Sequence, residues 1–478
     1  MTIELITDNF QDLNTEEKSE KIITFIEERI QTDEFKKFIE ILSTNLYLDR
    51  NEIIFFIKKK ILENFNYSTN LFNQKIQKKN IVKGVVYFII FLLAKLFIKK
   101  KIKIPNNTDL LLDLIGSNYE LSLYKKIIDK YKKDKVVIFV DEEFHFDFKG
   151  LKFLKPNKLL NSIIPINKII KYIYLTNKIY KLSKKVKLNL FYFFIKLILE
   201  NYFYNYLFNE VKLKASLIHK HYNTNNIKHY YLRKHKIKSY AVQKNINSTI
   251  SNGYYYDVDC MLSISENCKI ENYNTYSRIK EHKIIGSFFM QRLFDEIRVS
   301  PHELTFDILY LAGNGLRPKL FYDSYAGYAN DYSLQLEWLK KFSIDFPNLK
   351  IGFKHHSNNN DTFEEKILKF SNVFIINKKI NSYHLIDKSK FICSWASTMV
   401  VEAISMNKFA FFLNPGLRNK QFLSRIKNFE LISVFNYDDF LKKFKYANDK
   451  NFIRDENNDS FCKFNKNISD DIFKALNE

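Results

Sequence analysis

Short apolar runs alternate with helical segments along most of this chain, and residues 391–415 show the pattern most clearly. An apolar run at residues 391–394 leads into a small-residue turn, a helical segment containing Glu402 and a second apolar run at residues 409–415. Strands that alternate with helices are typical of a parallel, doubly wound sheet. The pattern therefore predicts an α/β fold, in which ligands bind beyond the carboxyl ends of the strands.

The alternation occurs in two stretches, separated near Ser300 and Pro301. Strands are expected at residues 135–141, 215–218, 239–243, 262–265 and 283–286 of the first stretch, and at 306–312, 349–354, 373–376, 391–394 and 409–415 of the second. The predicted fold class is α/β, with two Rossmann-like doubly wound domains that face a cleft and an N-terminal helical extension. The expected boundaries are 1–130 for the helical region, 131–300 for the first Rossmann-like domain and 301–478 for the second.

The helical region contains an apolar run at residues 84–94 that is flanked by Lys83 and Lys95. Because a membrane span needs about 20 apolar residues, this run is too short to predict one. Two interpretations remain open for residues 84–98. The segment lies on an anionic membrane surface, which its lysines favour, or it forms a buried core helix.

The positive charge of the chain raises the question of whether its partner is a nucleic acid. The formal net charge is +23, but only ten of the 76 basic residues are arginine, the side chain that most often reads bases and phosphates. No zinc-finger spacing or RNA-recognition signature occurs. The four cysteines form no CxxC pair, and the N-terminus has no signal-peptide core. We expect a cytoplasmic protein with no nucleic-acid partner and no metal site.

Polar side chains follow several of the expected strands, where a doubly wound sheet places its ligands. In the first stretch they are Asp141, Glu142, Gln243 and Lys244. In the second stretch they are Gly313, Asn314, Lys354, His355, His356, Ser397, Thr398 and Glu402.

A helix start at Ser397 and Thr398 would offer free backbone N–H groups and a positive dipole to the phosphates of an activated nucleotide. His356 and Lys354 would neutralise a phosphate leaving group, and Asp141 or Glu142 would take a proton from an acceptor hydroxyl. Simpler interpretations stay open for each residue: a capped core helix at Ser397, surface histidines, and a solvated acidic loop at Asp141.

Three stretches of the chain form an ordered set of motifs. Residues 217–243 lead to a Gln243-Lys244-Asn245 turn. Residues 352–357 read Gly-Phe-Lys-His-His-Ser. Residues 394–403 read Ser-Trp-Ala-Ser-Thr-Met-Val-Val-Glu-Ala.

In this order the motifs resemble those of bacterial surface-polysaccharide glycosyltransferases of the GT-B fold, which make capsule and lipopolysaccharide. The bacterial sialyl- and Kdo-transferases and the polyol-phosphate transferases are related to them. The family has a Gln-His-Gly turn, a Lys-x-His-Pro motif and a Ser-Ser or Ser-Thr motif. Lys244 and Asn245 stand here where the family has His and Gly, and Ser357 stands where proline is usual.

The resemblance implies that His356 contacts the donor phosphate and that Ser397 and Thr398 hold it at a helix start. Lys354, His355, Gly313 and Asn314 would complete the donor side, with Glu402 near the ribose or base, and Gln243 and Lys244 would lie on the acceptor side. These donor and acceptor roles fall to residues 301–478 and 131–300, respectively.

The expected function is transfer of a sugar from a nucleotide-sugar to a growing surface polysaccharide or lipid-linked acceptor, without a metal or other cofactor and with inversion. The enzyme would be peripheral, on the anionic inner face of the cytoplasmic membrane. Two alternatives stay open: transfer of a polyol phosphate from a CDP-activated donor, and a catalytically inactive paralogue that acts as a scaffold.

Overall fold

The structure is a computed structural model. It describes residues 15–63, 74–97, 108–140, 150–154, 164–246, 255–273, 276–295, 305–312, 326–356, 367–377, 380–395, 397–415, 426–449 and 458–478.

The first sheet has seven described strands, in the order β3-β2-β1-β4-β5-β6-β7. They are β1 Leu110–Ile115, β2 Val136–Val140, β3 Lys152–Leu154, β4 Ala215–Ile218, β5 Lys238–Val242, β6 Asp257–Ser263 and β7 Arg278–Ile284. All neighbouring strands of this sheet pair in parallel. Their carboxyl ends therefore meet at one edge.

The second sheet has six described strands, in the order β10-β9-β8-β11-β12-β13. They are β8 Phe306–Leu311, β9 Ile351–Lys354, β10 Val373–Ile376, β11 Ser389–Ser394, β12 Phe409–Leu413 and β13 Ser433–Val434. These strands also pair in parallel throughout. Two parallel sheets, each with helices on both faces, confirm the predicted fold class of two Rossmann-like domains in a GT-B arrangement.

Helices surround both sheets. In the first half they are α1 Thr15–Ile30, α2 Asp33–Leu46, α3 Arg50–Glu63, α4 Gln74–Phe97, α5 Asn118–Leu123, α6 Lys125–Tyr131, α7 Ile166–Val186, α8 Leu190–Glu210, α9 Asn226–Lys234 and α10 Gln291–Asp295. In the remainder they are α11 Ala326–Asp345, α12 Ser382–Lys388, α13 Thr398–Ser405, α14 Tyr437–Asp449, α15 Asn458–Phe461 and α16 Ile468–Asn477.

The N-terminal helices cover one face of the first sheet. Successive strand residues point to opposite faces, so Leu111 joins the core of the helical layer while Leu110 and Leu112 join the core on the other side. Helices α7 and α8, which lie between β3 and β4 in the chain, belong to the same layer. The helical extension is thus part of the first half's packing and shares its core.

A charged network ties this layer to the far end of the sheet. Glu52 on α3 accepts two bonds from Arg278 on β7, at 2.8 and 2.7 Å, and a third from Arg233 on α9 at 3.2 Å. Both arginines also bind Asp257 at the start of β6. Paired charges of this kind hold α3 in one register on the sheet.

Two elements lie across the expected domain boundaries. Strand β1 begins at Leu110, before the boundary at residue 131, and Asp113 interrupts its apolar pattern. Asp113 is buried beside Lys228, which neutralises its charge. At the other end of the chain, α16 packs on the first half, where the Tyr240 hydroxyl donates to the Ala475 carbonyl at 2.6 Å.

Helix α4 contains the run at residues 84–94, and it has two different sides. Ile81, Phe88 and Leu92 are buried, and Phe88 packs against Phe191 and Phe194 of α8. The side that includes Tyr87 and Ile90 is exposed. Among the described residues, no helix is both long enough and apolar enough to cross a membrane.

Candidate functional site

In the described part of the chain, the carboxyl edge of the first sheet brings together one carboxylate and three basic side chains. Glu120 follows β1 on the short helix α5, His219 and Lys220 follow β4, and Lys244 follows β5. One oxygen of Glu120, Oε1, lies 2.8 Å from Lys220 Nζ, 3.2 Å from His219 Nε2 and 3.9 Å from Lys244 Nζ. Because β1, β4 and β5 are adjacent parallel strands, the fold brings these residues together from positions far apart in sequence.

The turn after β1 presents Glu120 to its partners. Ser117 begins α5 and its hydroxyl accepts a bond from the Glu120 N–H at 3.1 Å. The second carboxylate oxygen, Oε2, accepts from the Gly116 N–H at 2.8 Å. This Ser-x-x-Glu arrangement caps the helix and leaves Oε1 for the basic side chains.

The protonation states of this cluster follow from its surroundings. Burial alone would raise the pKa of Glu120, but bonds from His219, Lys220 and Gly116 outweigh it and hold the pKa far below its usual range. Burial lowers the pKa of His219, and with the charges of Lys220 and Lys244 it outweighs Glu120, whose contact raises this pKa. Glu120 is therefore ionised and His219 neutral at pH 7.

A neutral His219 between two fixed partners has one defined tautomer. Its Nε2 lies 3.2 Å from the ionised Glu120 and its Nδ1 lies 2.8 Å from the Tyr124 hydroxyl, so a proton on Nε2, with Nδ1 as acceptor, is the tautomer that avoids repulsion between two lone pairs at Glu120. Burial raises the pKa of Tyr124, which keeps this hydroxyl protonated. Tyr124, His219 and Glu120 thus lie in sequence beside Lys220.

Lys244 is held in place at its backbone. Its N–H donates to Nδ1 of the buried His221 at 3.1 Å, and burial lowers the pKa of His221 to about 3. The Lys244 Nζ lies 5.6 Å from the centre of the Phe289 ring. Burial and the charge of Lys220 lower the pKa of Lys244, which a bound anion would oppose.

The carboxyl edge of the second sheet provides two further basic groups. Lys354 ends β9, His355 is buried with its ring 5.2 Å from that of Phe353, and His356 comes next. Burial lowers the pKa of His356, and the charges of Lys354 and of Lys244 lower it further. Lys244 belongs to the first half, so its charge acts on His356 across the cleft.

Helix α13 begins where the sequence predicts, with Ser397 as its capping residue. The Ser397 hydroxyl accepts from the Met399 N–H at 3.3 Å. The Thr398 hydroxyl accepts from the N–H of Ile246 in the first half at 3.1 Å. The helix start therefore lies in the cleft, in contact with the segment that carries Lys244.

Glu402, one turn further along α13, is buried between the halves. Its carboxyl group accepts bonds from the hydroxyls of Ser287 and Tyr383, the second at 3.1 Å. Burial raises the pKa of Glu402 to about 7. A role for Glu402 at the ribose or base stays a prediction.

The described residues do not include every predicted site residue. Asp141, Glu142, Gly313 and Asn314 fall outside the described residues. Gln243 is buried, and its amide bonds the Cys268 carbonyl at 2.7 Å and the Ile264 N–H at 3.1 Å, which links the ends of β5 and β6.

Sequence reasoning missed Glu120, His219 and Lys220. The signal that precedes Glu120 is the run Leu110–Ile115 followed by Gly116, Ser117 and a glutamate three residues later. Asp113 hid the strand, and without β1 there was no reason to place Glu120 beside residues that follow β4.

No family model matches the sequence, and no curated protein matches it either. Solved structures with similar backbones include UDP-GlcNAc 2-epimerase from Methanocaldococcus jannaschii, with 12% identity, coverage of 77% of this chain and 99% of that chain, and a TM-score of 0.43. MurG from Acinetobacter baumannii has 9% identity, coverage of 77% and 99%, and a TM-score of 0.37. The wall teichoic acid polymerase TagF has 11% identity, coverage of 85% and 97%, and a TM-score of 0.37. Since these values are low, the activity of this chain is inferred from its own residues.

Proposed function

We propose that this chain is a glycosyltransferase that moves a sugar from a nucleotide-sugar donor to a hydroxyl of a growing surface polysaccharide or lipid-linked acceptor. The observation that supports this most is the basic cleft. The charge of Lys244 in the first half acts on His356 in the second, and the segment that carries Lys244 contacts the start of α13 through the bond from the Ile246 N–H to Thr398. A doubly charged nucleotide leaving group requires such a site.

In the proposed reaction the acceptor oxygen attacks the anomeric carbon of the sugar, and the bond from that carbon to the phosphate oxygen breaks. The electron pair leaves with the nucleotide, where Lys244, His356 and the N–H groups of α13 stabilise it. The acceptor proton passes to a carboxylate, for which Asp141 or Glu142 stays the candidate. Attack from the face opposite the nucleotide would invert the anomeric carbon, and no metal is needed.

Glu120 has a different role in this proposal. A carboxylate with so low a pKa is a weak base at pH 7, so it is poorly suited to take the acceptor proton. It instead positions Lys220 and Lys244, and it keeps His219 in one tautomer.

The first test is a thermal-shift screen of the purified protein against CMP, CDP, UDP, GDP and their sugars, with and without EDTA. A ligand at a hundredfold excess over its Kd stabilises the folded state by about 2.7 kcal/mol. We expect one nucleotide class to raise the melting temperature, equally with EDTA, and His356→Ala and Lys244→Met each to remove most of the shift.

Matched controls are available at distant positions. His235 ends α9, which leads back to the opposite edge of the first sheet, and Lys442 is exposed on α14. His235→Ala and Lys442→Met should leave the shift unchanged. No shift with any nucleotide, or a shift retained in both site variants, would contradict the proposal and favour the scaffold alternative.

The mass of the product separates transfer of a sugar from transfer of a polyol phosphate. A transferred sugar adds no phosphorus to the acceptor, whereas a polyol phosphate transferred from a CDP-activated donor brings its phosphate with it. Phosphorus in the acceptor product would replace the first proposal with the second.

A further inference from the structure

Helices α4 and α7 carry a disproportionate share of the exposed apolar surface. Ten of the nineteen large apolar side chains that are exposed in the described part of the chain lie on these two helices. On α4 they recur along one side, at Val82, Val86, Tyr87, Ile89, Ile90 and Leu93. This stripe is a second apolar face, opposite the one that Phe88 and Leu92 bury in the core.

The neighbouring helix α7 has a stripe of the same kind. Ile166, Ile170, Ile173 and Tyr174 are exposed at intervals of three or four residues, and Tyr174 is 85% exposed. The opposite side of α7, which includes Ile169 and Tyr172, is buried in the core. Helices α4 and α7 pack against each other, so the two stripes belong to one helix pair.

The charged side chains of helices α4 and α7 are all positive. Neither α4, with 24 residues, nor α7, with 21, contains an aspartate or glutamate. The two helices contain eleven lysines, of which Lys171, Lys178 and Lys181 are exposed on α7. Two nearby groups contact α7 lysines: Glu34 lies 3.5 Å from Lys185, and the Tyr47 hydroxyl lies 3.3 Å from Lys168. The rest of the pair's positive charge favours an anionic partner.

We propose that the α4–α7 pair is the surface by which this protein binds an anionic lipid leaflet, with the apolar stripes inserted among the acyl chains and the lysines at the headgroups. Apolar side chains together with lysines and without acids are the combination that a negatively charged bilayer surface binds. The inference does not depend on the proposed transfer reaction, because no residue of the cleft takes part in it.

The test is flotation of the full-length protein with two kinds of vesicle, phosphatidylcholine alone and phosphatidylcholine with phosphatidylglycerol. We expect binding to the anionic vesicles and little binding to the neutral ones. The variant Val86→Ser/Ile90→Ser/Ile170→Ser/Ile173→Ser should bind at least about tenfold more weakly, because four inserted side chains are lost.

Removal of charge gives a second, independent readout. Lys171→Gln/Lys178→Gln/Lys181→Gln should reduce the preference for anionic vesicles by about tenfold or more, since each lysine near the surface contributes to binding.

The matched control for the four-serine variant is Ile344→Ser/Leu431→Ser. It removes two exposed apolar side chains from the second half and should bind as the wild type does.

Each variant must keep the wild-type melting temperature and the wild-type nucleotide response, which separates this test from that of the cleft. Wild-type affinity in the four-serine variant, or no binding of the wild type to anionic vesicles, would overturn the proposal. A wild-type dimer that becomes monomeric in the four-serine variant would also overturn it, since a second copy would then be the occupant of this face.

Discussion

Glu120 and Glu402 lie at the carboxyl edges of the two sheets, and their surroundings are opposite. Glu120 contacts Lys220 and His219 and has a strongly lowered pKa. The partners that lower the pKa of Glu402 are the hydroxyls of Ser287 and Tyr383, which carry no charge. Burial outweighs them and raises the pKa to about 7. The comparison shows that the charge of the neighbours, and not shielding alone, decides whether a carboxyl group at this cleft is ionised.

The two edges therefore contribute differently to the cleft. The first edge is a fixed arrangement of charges, built from residues that follow three adjacent strands. The second presents a helix start and a histidine, and Glu402 joins α13 to the first half through Ser287. For an anionic ligand, the first edge would supply most of the positively charged side chains, and the second edge would supply most of the N–H donors.

The largest expected effect concerns Glu402. The folded carboxyl group keeps its proton up to pH about 7, whereas the unfolded one releases it near 4.5. The folded state binds more protons between these values, so its stability should fall by about 3 kcal/mol as the pH rises from 4.5 to 8. Urea unfolding of the wild type and of Glu402→Gln at both pH values measures this change in the free energy of unfolding. The variant should lack the decrease of about 3 kcal/mol that Glu402 causes between the two pH values.

The exposed Glu337→Gln is the control for Glu402→Gln, and it should keep the wild-type slope. If Glu402→Gln lost stability with rising pH as the wild type does, the carboxyl group would be ionised in the folded protein and the contrast with Glu120 would disappear.

The next effect concerns Glu120 and has the opposite sign with pH. Its folded pKa lies far below the unfolded value, so its contribution is complete at pH 7 and decreases progressively as the pH falls from about 4.5 toward the folded pKa. Glu120→Gln leaves Lys220 and His219 without their anionic partner, and it should cost about 2 kcal/mol at pH 7, less than a fully buried pair because water screens the site. Unfolding at pH 7 and pH 3 should show a smaller loss at pH 3 than at pH 7, because part of the contribution of the carboxylate remains at pH 3.

A third, smaller effect concerns the bond between the halves at the helix start. Thr398→Val removes the acceptor of the Ile246 N–H and should destabilise the protein by about 1 kcal/mol. Thr398→Ser keeps the hydroxyl and should have little effect in the same urea titration. A larger loss in Thr398→Ser than in Thr398→Val would mean that the packing of the methyl group, and not the hydrogen bond, stabilises this contact.

The α/β class and most strands were predictable because each depends on residues that are neighbours in sequence. Residues 215–218, 373–376 and 391–394 are apolar runs, and α13 begins at Ser397 because a serine caps the free N–H groups there. Strand β1 was missed because its buried Asp113 is balanced by Lys228, which lies far along the chain.

The two apolar helices α4 and α8 show the same limit. Both are strongly apolar in sequence, but α8 has eleven buried residues while α4 leaves one side exposed. Local pattern predicts that a helix forms, but it does not specify which other elements will cover it.

By itself, the sequence determined two parallel α/β halves, a helix start at Ser397 and an excess of positive charge, since these follow from local pattern and composition. The tertiary structure alone decided that Glu120, His219, Lys220 and Lys244 share one edge and that the charge of Lys244 acts on His356. The physical reason is that strand order and the packing of the two halves set these distances, and the resulting proximity sets the protonation states of the site.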